Sequence, residues 1–166
     1  FKTTTHDWYL NSIHKICQCI TDFVKTHHIN KIYGFGICSG GFAALITSGF
    51  IHFDKCLLFS PNINISQDYL NRFRSTGSTP DSWIFSKHDD VVLKLFNSQS
   101  ILNKSTDYTV HIADENKWDN FQCKQIESFP NVTVKKHKSI WHHFFQDLHN
   151  TGELNSIIEE EYELNI

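Results

Sequence analysis

The chain has 166 residues, 40% hydrophobic and 14% aromatic, enough apolar material for a folded core and far from the composition of a disordered segment. Its charge is mixed, with a net of −3, so no basic surface points to nucleic acid. No apolar run approaches membrane-spanning length, and no signal peptide is recognisable.

Residues 1–7 read as a polar loop, with Asp7 placed to cap a helix. Over residues 8–25, Trp8, Ile13, Ile16, Ile20, Phe23 and Val24 recur at helical spacing, which predicts an amphipathic helix covering one face of a sheet. His27 and His28 at its end suit a helix dipole better than a metal.

Residues 31–45 read K-I-Y-G-F-G-I-C-S-G-G-F-A-A-L. An apolar, β-branched and aromatic run breaks at Cys38 into two glycines and a small-residue helical pattern that runs to about residue 50. This is strand, sharp turn and helix. Residues 55–61 form a short apolar strand stopped by Pro61. The polar stretch 62–80, with Arg72 and Arg74, is expected as a loop or lid over the site.

A strand is expected at 82–85 and a helix at 91–102. Residues 107–113 alternate as a strand, 116–129 contain a short helix, and 132–134 with its flanks form the last strand. A terminal amphipathic helix is expected over 143–158, using Phe144, Phe145, Leu148, Leu154, Ile157 and Ile158, before the acidic run Glu159-Glu160-Glu161. Strands alternating with helices predict an α/β fold, a mostly parallel sheet with helices on both faces. No internal repeat is visible, and residues 1–166 are expected to form one domain.

The turn at Cys38 has the pattern of a nucleophile elbow, G-x-Nuc-x-G, with cysteine where serine is usual. A side chain forced out above a sheet there needs very small neighbours at −2 and +2, and Gly36 and Gly40 stand at those positions. The N–H of Ser39 would face the developing oxyanion, and the following helix N-terminus favours a thiolate. Two other readings remain open: an inert buried cysteine in a glycine-rich turn, and Ser39 as nucleophile, whose −2 neighbour would be the bulky Ile37.

A thiol nucleophile needs a base, and the base an orienting carboxylate. His142 lies between the last strand and the terminal helix, with His143 as its competitor, while His137 falls in the strand's own exit. For the carboxylate, Asp89 lies in a D-x-x-V loop but has a strand intervening before the histidine. The loop 114–119 is adjacent, so Asp119 is preferred, then Asp114, then Asp89. A helix-capping role competes for Asp119.

Cys17, Cys19, Cys38, Cys56 and Cys123 make no C-x-x-C pair and no zinc spacing, and read as free thiols of a reducing, cytoplasmic compartment. Metal binding through His142, His143 and Asp119 lacks ligand spacing. The sequons at Asn64, Asn103 and Asn131 are expected by accident in an Asn-rich chain. The chain starts at Phe1 and holds no methionine, which suggests a fragment or a processed chain.

These residues resemble the α/β-hydrolase fold, and more narrowly the hydrolase-like domains found beside bacterial capsular and surface polysaccharide biosynthesis genes. The matching stretches are residues 33–45, Phe59-Ser60-Pro61, Asp119-Asn120-Phe121-Gln122-Cys123, and His142 through Leu148 and Gly152 to Leu154. The resemblance implies Cys38 as nucleophile, Asp119 as acid, His142 as base and no cofactor. Cysteine replaces serine as in dienelactone hydrolase, and Gln122 stands where the family has histidine. The usual strands before the elbow, with the loop giving a second oxyanion N–H, are missing, so the fold is expected to be shortened on its N-terminal side.

Two functions follow as expectations. One is a Cys-His-Asp hydrolase or acyltransferase acting on an ester, thioester or lactone, with acyl groups on glycans as one substrate class. The other is an inactive hydrolase-like domain that binds a glycan, a glycosyltransferase or another biosynthetic partner.

Overall fold

A computed structural model describes residues 9–77 and 102–163. The expected strand at 82–85, nearly all of the helix expected at 91–102, and both Asp7 and Asp89 lie outside the described residues. In chain order the described elements are α1 (Ile13–His27), β1 (Tyr33–Ile37), α2 (Ser39–Phe50), β2 (Lys55–Phe59), α3 (Gln67–Ser75), β3 (Asp107–Ala113), α4 (Lys117–Cys123), β4 (Val132–His137), α5 (Phe145–Thr151) and α6 (Glu153–Tyr162).

The four strands form one sheet in the order β1-β2-β3-β4, every neighbouring pair parallel. Side chains alternate across each strand, so β2 supplies both layers of the core. Cys56 and Leu58 pack with Leu45 of α2 and with Cys123 and Ile126 at the end of α4. Leu57 and Phe59 point the other way, against Phe144, Leu148, Leu154 and Tyr162 of the C-terminal helices. Helices therefore cover both faces, as the alternating pattern predicts.

Helix α1 starts later than the apolar spacing suggests. Tyr9 has φ +65° and the Ser12 N–H closes a turn onto the Tyr9 carbonyl at 2.9 Å, so helix begins only at Ile13. Its buried face, with Leu10 and Ile13, packs mainly on Phe42 and Ile46 of α2. Only Ile20 reaches the sheet's own core.

The single terminal helix expected over 143–158 is two helices. Gly152, with φ +83°, ends α5 in the left-handed region that glycine adopts without strain and leads directly into α6. The break turns α6 back over the sheet. Its Glu161 carboxylate is met by Lys55 at 2.6 Å, Lys135 at 2.5 Å and the Thr109 hydroxyl at 2.9 Å, one residue from each of β2, β4 and β3. The neighbouring Tyr162 hydroxyl donates to the Gly34 carbonyl of β1 at 2.5 Å. Four strands are thus tied to one helix end through satisfied polar groups.

The stretch expected to be a polar lid is mostly interior over residues 62–66, and the helix that follows buries one face and exposes the other. Asn62, Ile63, Ile65, Leu70 and Phe73 are buried, and residues 67–75 form α3, capped by Ser66. The apolar residues are spaced too widely to stand out in sequence. Leu70 and Phe73 close over Trp118 at the start of α4.

Candidate active site

The elbow is built by packing that only glycine permits. A Cβ on Gly36 would sit 2.5 Å from the Gly40 carbonyl oxygen and 2.7 Å from the Gly41 Cα, so β1 and α2 touch through backbone alone. Gly41 is equally constrained, with Pro61 2.8 Å from where its Cβ would lie, whereas Gly40 faces open space. The motif's +2 glycine is therefore not the one the packing needs; Gly41 takes that role.

Cys38 at the apex has φ +51° and ψ −113°, a strained conformation for a side chain-bearing residue. Three backbone bonds fix the turn, to β2, to the segment after it and to the first turn of α2. Cys38 N–H donates to the Phe59 carbonyl at 2.9 Å, and the Cys38 carbonyl accepts from Phe42 N–H at 3.1 Å and Asn62 N–H at 3.3 Å. Cys38 is partly exposed and in no disulfide. Ser39 is the first residue of α2, so its N–H has no partner within the helix and directly follows Cys38 in the chain.

The loop after β4 brings His142 to this turn. Its Nδ1 lies 2.5 Å from Asp119 Oδ1, and the ring interacts electrostatically with the Cys38 side chain. Burial pulls the imidazole pKa down, but the bonds and charges of Asp119 and Cys38 outweigh it and push it up to about 10.

Asp119 is buried and oriented from behind. Its Oδ2 accepts from the Ser60 hydroxyl at 2.6 Å and from Ala113 N–H at 3.2 Å. Helix capping falls to Asn116 instead, whose side chain accepts from the Trp118 and Asp119 N–H groups at 3.0 Å each.

Of the residues singled out in sequence, Cys38, Ser39, Asp119 and His142 come together. Asp114 does not. It is exposed and its carboxylate accepts from Ser139 N–H at 3.3 Å, steadying the loop that carries His142. His143 is exposed and edge-on to His142 and Phe145. His137 pairs with His111 at 2.7 Å in a stack running from Phe59 to Phe144. Among the described residues no group of three or more His, Cys, Asp or Glu side chains is disposed to hold a metal ion.

Two further residues shape the site, and one of them, Asn62, carries no signal in sequence. Asn62, fully buried, donates from Nδ2 to Cys38 Sγ at 3.3 Å and accepts from Trp118 Nε1 at 2.8 Å. Gln122, which reads as a departure from a family pattern, holds the segment after β2. It accepts from Ile63 and Asn64 N–H at 2.7 and 2.9 Å and donates to the Asn64 carbonyl at 2.9 Å.

No family model and no curated protein sequence matches the chain. Solved structures do. The capsule O-acetyltransferase of Neisseria meningitidis serogroup A aligns over 92% of this chain and 68% of its own, with 12% identity and a TM-score of 0.60. An alpha/beta fold family hydrolase from Bacillus anthracis aligns over 92% and 75%, with 13% identity and a TM-score of 0.55. A lipase-esterase related protein from Clostridium acetobutylicum aligns over 96% and 77%, with 14% identity and a TM-score of 0.52. The chain thus spans about two thirds to three quarters of these structures' length, and the likeness at such identities is one of architecture. The parallel sheet, the helices on both faces and the strand-turn-helix at Cys38 make this chain an example of the α/β-hydrolase fold.

Proposed function

We propose that this chain is a hydrolase or acyltransferase of esters, thioesters or lactones in which Cys38 is the nucleophile, His142 the proton carrier and Asp119 its orienting acid. One observation carries the reading: the imidazole bonded to a buried, fully bonded carboxylate also interacts electrostatically with a thiol on a strained glycine-flanked turn.

His142 keeps its proton up to about pH 10, so at neutral pH the ring faces sulfur as an imidazolium. Sulfur attacks the acyl carbon as thiolate, the S–C bond forms, and the carbonyl π pair moves to oxygen. Ser39 N–H and the α2 N-terminus stabilise that oxyanion; one such donor is worth about 10²–10³ in rate. The intermediate collapses, the bond to the leaving oxygen or sulfur breaks, and that atom takes the proton from His142. Water, or an acceptor hydroxyl, then attacks the thioester while giving its proton to His142. Collapse releases the acid or new ester and restores thiolate and imidazolium. Asp119 holds the ring's orientation throughout. No cofactor enters these steps.

The likeness to a capsule O-acetyltransferase supports acyl groups on glycans as one substrate class. The five unpaired cysteines support a reducing, cytoplasmic setting, and no described helix is long and apolar enough to cross a membrane.

A second reading, a binding domain for a glycan or a biosynthetic partner, draws on the outer side of β1. There Phe23, Ile29 and Tyr33 are exposed beside an apolar groove of about 450 Å³. Thiol-probe labelling separates the two. The enzymatic reading expects Cys38 to react faster than Cys17 and Cys19, and Cys38→Ala to abolish p-nitrophenyl ester turnover. Equal labelling with unchanged turnover removes it in favour of the second.

A further inference from the structure

The corner that follows β2 holds both ends of the proposed relay. Ser60 has φ +42° and its hydroxyl bonds Asp119, while two residues on Asn62 bonds the sulfur. Pro61 between them packs against Gly41 of the elbow helix. Three consecutive residues therefore set the carboxylate and the thiol against one another.

The orientation of the Asn62 amide is decided by its neighbour. The indole of Trp118 can only donate, so the atom facing it at 2.8 Å is the amide oxygen. The other end, facing Cys38 Sγ at 3.3 Å, is then the NH₂ group. With Asn62 fully buried and Trp118 nearly so, edge-on against Phe73, the indole bond is what holds the amide in this orientation. A fixed neutral donor against sulfur favours its anionic form and restricts its rotamer.

We propose that Asn62 is a third determinant of Cys38 reactivity, a donor that holds and activates the thiol from the side of β2, with Trp118 setting its polarity. This rests on Cys38 being the nucleophile, but it makes a separate claim about the thiol itself. The other titratable groups at the thiol are His142, from the loop after β4, and Asp119 behind it on α4.

The test is the rate of Cys38 alkylation by iodoacetamide against pH, read by peptide mass spectrometry in the wild type, Asn62→Asp, Asn62→Ala and Trp118→Phe. A hydrogen bond to a charged group is worth about one to two powers of ten in an equilibrium. Asn62→Ala is therefore expected to slow alkylation at neutral pH roughly 10- to 100-fold and to move its pH dependence upward. Asn62→Asp, which keeps the shape and the acceptor for Trp118, places an anion against sulfur and is expected to lose at least as much. Trp118→Phe frees the amide to flip and falls between.

Asn62→Asp and Asn62→Ala both alkylating with the wild-type pH dependence would overturn the proposal. The same outcome with ester turnover abolished in Cys38→Ala leaves the nucleophile assignment standing and removes Asn62 alone. Ester turnover untouched in Cys38→Ala, with alkylation still dependent on Asn62, does the reverse.

Discussion

Replacing Gly36 with alanine tests the elbow at its tightest point. The added Cβ would lie 2.5 Å from the Gly40 carbonyl oxygen and 2.7 Å from two further backbone atoms, where ordinary contact begins at 3.4 Å. No side chain can rotate aside, so β1 and α2 must part by about 0.9 Å, a gap of the size that forfeits a good share of each lost contact. Overpacking of this kind costs about 1–3 kcal/mol, and a purely backbone clash belongs at the upper end. The same displacement distorts the turn between β1 and α2 that carries Cys38 and Ser39, so ester turnover should fall further than stability alone accounts for.

Gly40→Ala is the matched control. Its Cβ meets nothing within 4 Å and its φ is not positive, so the change should be neutral or stabilising by about 0.4–1 kcal/mol. Urea denaturation with parallel turnover assays gives both numbers. A Gly36→Ala protein as stable as the wild type, or a Gly40→Ala protein as damaged as Gly36→Ala, refutes the packing argument.

Other outcomes follow from the same geometry. Asp119→Asn should lower kcat by about 10³–10⁴-fold, as loss of an orienting carboxylate does, and should move the alkaline limb of the pH-rate profile below the His142 value of about 10; Asp114→Asn should change neither. His142, raised from 6.5 to about 10, contributes stability that is complete below pH 6.5 and lost as pH rises through 10. His111, lowered from 6.5 to about 4 by burial and by the charges of His137 and Lys135, contributes stability present above pH 6.5 and lost as pH falls through 4. Thermal melts across this range should therefore slope in opposite senses on the two sides of pH 6.5, the acid slope weakening in His111→Phe. Gln122→Leu leaves the Ile63 and Asn64 N–H groups without their acceptor and should cost about 1–3 kcal/mol per buried donor, read from the urea midpoint.

The strand, turn and helix around Cys38 were legible because local chemistry dictates them: an apolar run, a glycine where the backbones meet, and a helical pattern immediately after. His142 was legible from its place between the last strand and the terminal helix. Asp119 and Asp114 were harder to separate, since both sit in one polar loop. The distinction lies in Asn116, which caps α4 and turns Asp119 inward toward Ser60 and His142. Asn62 was hidden because its role depends on Trp118, 56 positions away in sequence. The buried part of residues 62–77 is hidden for a related reason, since Ile63 and Asn64 bond a distant glutamine and Leu70 and Phe73 pack on Trp118. Gly152 could have been weighed as a helix breaker within the terminal apolar pattern.

The most direct test is to trap the acyl-enzyme. On incubation with p-nitrophenyl acetate and rapid acid quench, the acetyl group should be found on Cys38 as a thioester that hydroxylamine removes, and should accumulate when His142 is replaced by a residue that cannot activate water. An acetyl group on any other side chain, or turnover that proceeds with Cys38 unmodified throughout, contradicts the assignment.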